Sequence, residues 1–283
     1  MTAPAAPPLR PTRLGVEALF PELTGLARET TLLCPRIGEP GVRDSSVGGP
    51  LLWPADEPWP MCGAEGHYEP LRRPTEVVGP EPVAMVPVVQ LYARDVPELP
   101  FPAGTDVLQV VWCPLLHDDG IDAVSPRLYW RDERAVGAGT LRSDRPEPYT
   151  ADEDFVPRPC TVTPTRAVEY PNGDLPEGLG EALTDRFDEV ERRFGVSYFD
   201  AATTIQSKVG GYPGWTQAPD WPTCRCGRRM AHLLSVTATE TGPWHGDDDA
   251  DAGHGMDMGD LGGVYLFVCT TCPDRPFAHR YDC

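Results

Sequence analysis

Four cysteines near the C-terminal end have the spacing of a metal site. Cys224-x-Cys226-Gly227 and Cys269-x-x-Cys272 put two thiols on each of two short segments. Thiolates are soft donors that hold zinc in closed tetrahedral sets of four. Paired ligands on a turn keep both sulfurs on one side of the chain, and Gly227 leaves the backbone free to wrap the ion. The competing reading is four ordinary buried thiols. Clustering of four of the nine cysteines into two motifs argues for the metal. A second set lies earlier and is less regular. Cys62 with His67, and Cys113 with His117, would supply two thiolates and two imidazoles. Its alternative is that Cys62 and Cys113 are core residues and the histidines lie at the surface. The expected cofactor is therefore structural zinc, one ion at the four-cysteine set and a second at the mixed set.

Catalytic zinc keeps one position open for water, with three protein ligands. Both sets are already full. The chain has no His-Glu-x-x-His, no Gly-x-Ser-x-Gly and no P-loop. No catalytic residue is assigned, and none binds an organic cofactor. His245 and His254 lie beside and within the acidic stretch Asp247–Asp260, which holds six aspartates without EF-hand spacing. They read as exposed histidines of a solvated loop. Lys208, the only lysine, reads as a plain surface charge, and Gly210-Gly211 as a tight turn. Cys34 reads as a small buried hydrophobe.

The elements that must position these ligands repeat. Ser45–Cys62 matches Ser207–Cys224 at an offset of 162 residues, with eight of eighteen positions identical: Ser45, Val47, Gly48, Gly49, Trp53, Trp59, Pro60 and Cys62. Trp and Cys are rare, so agreement at one spacing reads as an internal duplication. Each copy ends in the first cysteine of a ligand set. An apolar run then follows in each half, Val83–Leu91 and Met230–Val236. Each half then has a run that ends in the next ligand, Val107–Trp112 before Cys113 and Gly263–Cys269. Trp53 and Trp59, like Trp215 and Trp221, read as packing around each lobe.

Pro87 sends the first of these runs to a sheet edge or a bulge. Arg127–Arg131 and Thr161–Val168 are further strand candidates. Leu14–Arg28 has helical spacing broken by Pro21. Leu183–Phe194 is the best helix, with Thr184 as cap, Phe187, Val190 and Phe194 on one face, and Gly195 past the end. Residues 1–12 read as a disordered arm, 13–145 as an N-terminal half and 146–283 as a C-terminal half, packed as one unit. Gly137–Pro159 reads as the link between them. Pro and Gly together exceed a fifth of the 283 residues, against long helices and for short strands and turns. The fold class expected is α+β, β-rich, with two pseudo-repeated β lobes, few short helices and zinc as stabiliser.

Formal net charge is −19, from 43 acidic and 24 basic groups. That field repels nucleic acid and anionic membrane surfaces and attracts basic partners. No apolar run reaches the length of a membrane helix and no signal peptide is visible, so a cytoplasmic location is expected, where nine cysteines stay reduced.

Lys208-Val209-Gly210-Gly211-Tyr212-Pro213-Gly214-Trp215-Thr216-Gln217 is followed by Cys224-x-Cys226-Gly227, Met230, Gly259-Asp260-x-Gly262 and Tyr265-Leu266-Phe267. This series resembles the bacterial YwqG-like family, a domain of unknown function, over residues 42 to 272. The resemblance implies an α+β fold with a pseudo-duplicated β core. The family is distantly similar to the eukaryotic programmed-cell-death-2-like proteins, binding chaperones for a ribosomal protein, with a similar Gly-Gly-x-Pro-x-Trp block. The insertion Asp247–Asp257 departs from the pattern. The reading that follows is a zinc-stabilised module that binds a protein partner, a basic one. The alternatives are a metallohydrolase with an open zinc near His67 or His117, and an immunity protein against a toxin.

Overall fold

A computed structural model of the chain describes residues 15–64, 67–68, 82–117, 124–137, 139–144, 146–147, 155–238, 240, 253–259 and 261–283. The arm expected at residues 1–12, His245 and most of the acidic stretch lie outside the described residues.

The fold is β-rich. β1 (Arg28–Leu32), β10 (Thr165–Glu169), β11 (Lys208–Gly210), β12 (Ala231–Thr237), β13 (Gly263–Val268) and β14 (Phe277–Asp282) form one sheet, in the order β10-β1-β11-β12-β13-β14. β2 (Arg36–Ile37), β3 (Ser46–Val47), β6 (Val86–Tyr92), β7 (Val107–Trp112), β8 (Pro126–Arg131) and β9 (Cys160–Thr161) form the second, in the order β2-β9-β3-β6-β7-β8. A short ribbon pairs β4 (Met61–Cys62) with β5 (Val83–Ala84). Every pairing is antiparallel.

The strand order β3-β6-β7-β8 in one sheet has its counterpart in β11-β12-β13-β14 in the other. β1, from the start of the chain, lies beside β11, and β9, from the second half, lies beside β3. Each half thus lends the other half's sheet a strand. Gly137–Pro159, expected as a link, is packed at some of its described positions and exposed at others. Leu141 bridges Pro54, Phe155 is buried, and the Trp112 indole N–H donates to the Phe155 carbonyl at 2.7 Å. The apolar residues among its acidic ones hold it to the core.

β7 and β13 show why the two sheets meet. Both are buried on both faces. Val110 and Trp112 share one core with Val264, Leu266 and Val268, drawn from the other sheet. The alternate residues Val111 and Cys113 face a separate cluster with Trp53, Cys62 and Met85. On β13, Tyr265, Phe267 and Cys269 likewise face a cluster with Trp215, Cys224 and Met230. The period of two along a strand thus aims one face at the shared core and the other at a Cys-bearing lobe. Pro87 lies within β6, where the register shifts between Pro87 and Val89, so a bulge absorbs the missing N–H inside the sheet rather than at its edge.

The helices are few. α1 (Val16–Leu19) and a 3-10 turn at Pro21–Leu26 are the short turns expected around Pro21. α2 (Glu133–Gly137) follows β8. α3 (Leu179–Phe194) begins a turn earlier than Thr184, which is therefore not its cap. The Thr184 hydroxyl donates back to the Gly180 carbonyl inside the helix, and Gly178, left-handed, stands at the start. Gly195 ends the helix in the left-handed region, as expected. Val190 is buried, but Phe194 turns outward. α3, α4 (Tyr198–Ala202) and the N-terminal turns enclose a satellite cluster around Phe20, Leu183 and Tyr198. Cys34 is only half-buried. It holds a left-handed backbone (φ 47°) at the turn between β1 and β2, a conformation set by the turn rather than by apolar packing.

Candidate metal centres

Two groups of side chains come close enough to hold an ion among the described residues. They are Cys62, His67, Cys113 and His117, and Cys224, Cys226, Cys269 and Cys272. In each group the four ligating atoms lie within 4.8 Å of one another.

In the C-terminal group, the loop after Trp221 supplies the first pair. The Cys224 N–H donates to the Arg228 carbonyl and the Gly227 N–H to the Cys224 carbonyl, both at 2.8 Å, and Gly227 sits at φ 80°. β13 delivers Cys269 on its lobe-facing side. The chain then folds back so that the Cys272 N–H points at the Cys269 sulfur, 3.5 Å away. The sulfurs of Cys224 and Cys272 stand 3.8 Å apart and those of Cys226 and Cys269 3.7 Å. A tetrahedron of zinc–sulfur bonds has an edge of about 3.8 Å. The backbone N–H of Cys272 holds the Cys269 thiol down to about 6, and sharing with Cys226 pushes Cys272 up to about 12. Without an ion the set carries its charge unevenly, and a metal would favour the thiolate form of the rest.

In the N-terminal group, β4 holds Cys62 and the residue after β7 is Cys113. The histidines come from two loops tied to each other. The Tyr68 N–H donates to the Leu116 carbonyl at 3.2 Å and the Leu116 N–H to the Tyr68 carbonyl at 3.0 Å, one residue from each histidine. His67 Nε2 and His117 Nε2 both stand 3.3 Å from Cys62 Sγ. A thiolate and an imidazole on one zinc would be about 3.5 Å apart. The Cys113 thiol donates to Cys62, and the two imidazoles add to it. Cys62 is held down to about 3 and Cys113 is pushed well above the usual thiol range.

The two groups differ in access. All four N-terminal ligands are buried, whereas Cys226 is exposed and Cys272 half-buried. The tryptophans pack where the repeat placed them. Trp53 is buried beside Cys62 and Cys113, and Trp215 beside Cys224 and Cys269. Trp59 and Trp221 are half-buried next to them, with indole N–H groups turned to the Met85 carbonyl and to Asp174.

Two readings change. Lys208 is not a surface charge. It is fully buried, with Nζ 2.8 and 2.9 Å from the two Glu169 oxygens and 2.6 Å from the Thr204 carbonyl. Its place on β11 puts it inside the sheet, and the partner carboxylate comes from β10, two strands away. Nor is His254 exposed: it is fully buried with Nε2 3.2 Å from Glu240 Oε1, while its Nδ1 accepts from the Met256 N–H. Met256 and Met258 carry this segment into the shared core. Nothing in sequence order links Lys208 to Glu169 or His254 to Glu240. Gly210 and Gly211 form the expected turn, both left-handed.

No protein-family model and no curated protein matches the chain.

Proposed function

We propose that both groups hold structural zinc and that the chain is a zinc-stabilised module that binds a basic protein partner. The observation that carries this reading is the completeness of both ligand sets. Four protein donors at tetrahedral separations leave an ion no open position for a substrate or a hydrolytic water. Ligand cysteines packed into aromatic clusters fit ions that hold loops together rather than ions that turn over substrate. The net charge of −19 favours a basic partner and raises its rate of encounter. On the same reading the two Cys-bearing lobes descend from one duplicated unit, of the YwqG-like type. The shared strand order and the 162-residue offset both support this.

Metal analysis of protein purified without added zinc tests the first part. Two ions per chain are expected, and none would overturn the reading. Capture from native lysate at low and at physiological salt tests the second. A basic protein released by salt is expected, and the absence of any basic partner at both salts would count against it.

A further inference from the structure

β11, three residues long, is shorter than its neighbours β1 and β12, of five and seven residues. It pairs with β1 only from Leu32 to Thr30 and with β12 only at Ser235 and Leu234. β1 continues to Glu29 and Arg28, and β12 begins at Ala231. At this end the sheet lacks a strand between them, because the left-handed pair Gly210-Gly211 turns the chain away. The missing piece is about 7 Å deep and about 9–10 Å across, two residues of rise by two interstrand spacings. A cavity of about 630 Å³ lies there, walled by Arg28, Gly211, Trp221, Arg229, Met230 and His232.

The His232 ring closes the inner end. One ring nitrogen lies 2.7 Å from the Gly210 carbonyl and the other 2.9 Å from the Ser235 hydroxyl. Burial first, then the nearby Lys208, hold its pKa down to about 3, so the floor is neutral. Charge sits at the rim. The Arg229 guanidinium lies 3.9 Å from the Trp221 ring centre and bonds Asp174. The Arg28 guanidinium lies 4.1 Å over the Tyr212 ring and 5.8 Å from Trp221, and Arg28 forms no ion pair among the described residues. Stacking fixes the plane of a guanidinium and leaves its N–H edge aimed outward, the geometry that takes a carboxylate with two parallel bonds.

We propose that this gap is a binding site for a carboxylate carried on a small apolar or aromatic group. Arg28 takes the carboxylate, and Trp221 and Met230 take the apolar part. A monoanion fits better than a phosphate dianion, because Glu29 also lines the cavity and the whole chain is acidic. The carboxylate can come from a free small acid or from the C-terminus of a peptide. The site stands apart from the proposed partner reading, and its test does not depend on it.

The full chain, metal included, is titrated by calorimetry with benzoate, with N-acetyl-phenylalanine and with N-acetyl-phenylalanine amide. Saturable binding of at least one acid, and at least tenfold weaker binding of the amide, are expected. Benzoate alone would identify a small free acid as the source, and acetyl-phenylalanine alone a peptide terminus. Arg28→Gln is expected to weaken the acid at least tenfold with an unchanged circular-dichroism spectrum, since Arg28 is exposed. Arg28→Lys, which keeps the charge but not the fork, falls between. Equal binding of acid and amide, unchanged binding by Arg28→Gln, or no saturable binding of either acid would overturn the proposal.

Discussion

Lys208 and Glu169 are the most consequential pair of side chains outside the metal groups. Both are fully buried, and Glu169 also accepts the Thr204 N–H at 2.8 Å and the Tyr212 N–H at 3.1 Å. The carboxylate therefore ties β10, the approach to β11 and the Gly211 turn into one network. A Cβ on Gly211 would stand 2.3 Å from Glu169 Oε2, at a backbone φ of 66°. Removing one partner of a buried pair leaves the other charge uncompensated, so Lys208→Met is expected to cost about 3–5 kcal/mol in urea unfolding. His232 gives a pH test of the same region. Its folded pKa of about 3 is below the ordinary value of 6.5, so the unfolded chain binds the extra proton first. Its contribution to stability is present above pH 6.5 and is lost as pH falls towards 3. Each pH unit inside that window costs up to about 1.4 kcal/mol. His232→Gln should flatten that part of the stability profile relative to the unmodified chain; an identical slope in both would show that other groups set it. At this scale the ligand residues were legible because Cys and His are rare and their spacing is itself chemical information. Lys208 was not legible: a single charge carries no sign of a carboxylate 39 positions earlier.

Among the elements, the apolar runs read directly. Val107–Trp112 is a strand with those same ends, because five apolar or aromatic residues around Gln109, bounded by an Asp and a Cys-Pro, leave little else. β1 did not read as a strand. Its residues Arg28-Glu29-Thr30-Thr31-Leu32 show no apolar alternation, and two of its three buried members are threonines, with Leu32 the only apolar one. β14 was missed for a related reason: Phe277-Ala-His-Arg-Tyr-Asp mixes polar and aromatic residues on a half-covered edge strand. β1 is also a strand whose place depends on distant pairing, and β9 is another. β1 sits between β10 and β11, and β9 between β2 and β3. A break at 145/146 would separate each from its sheet. Residues 13–145 produced alone are expected to remain unfolded or to aggregate, with β3 and β1 exposing unpaired edges. Co-production of the two pieces should restore a soluble complex, read by gel filtration and circular dichroism. A monomeric, cooperatively melting 13–145 fragment would show that the exchanged strands are dispensable.

For the whole molecule, the metal groups and the shared core are coupled unequally. The N-terminal group is sealed, and its ligands belong to the cluster that covers the outer face of β7. The C-terminal group keeps Cys226 at the surface and Cys272 half-buried. On the proposed reading that each group holds a zinc ion, a chelator or thiol reagent must first capture an accessible ligand, so the two ions should leave in order. With zinc release followed by a colorimetric indicator, the first equivalent is expected to depart fast, from the Cys224–Cys272 group. Cys226→Ser should remove that fast phase and leave near one zinc per chain. The second equivalent should come off only as the protein opens, at a rate that follows unfolding measured by tryptophan fluorescence. Structural zinc contributes on the order of 10 kcal/mol or more to small domains, comparable with the whole stability of an ordinary fold. Loss of the buried ion should therefore unfold the chain, whereas loss of the exposed one should loosen the lobe around Trp215 and spare the shared core. A single release phase with both ions leaving together, or a fast phase that persists in Cys226→Ser, would mean that exposure of Cys226 does not control access.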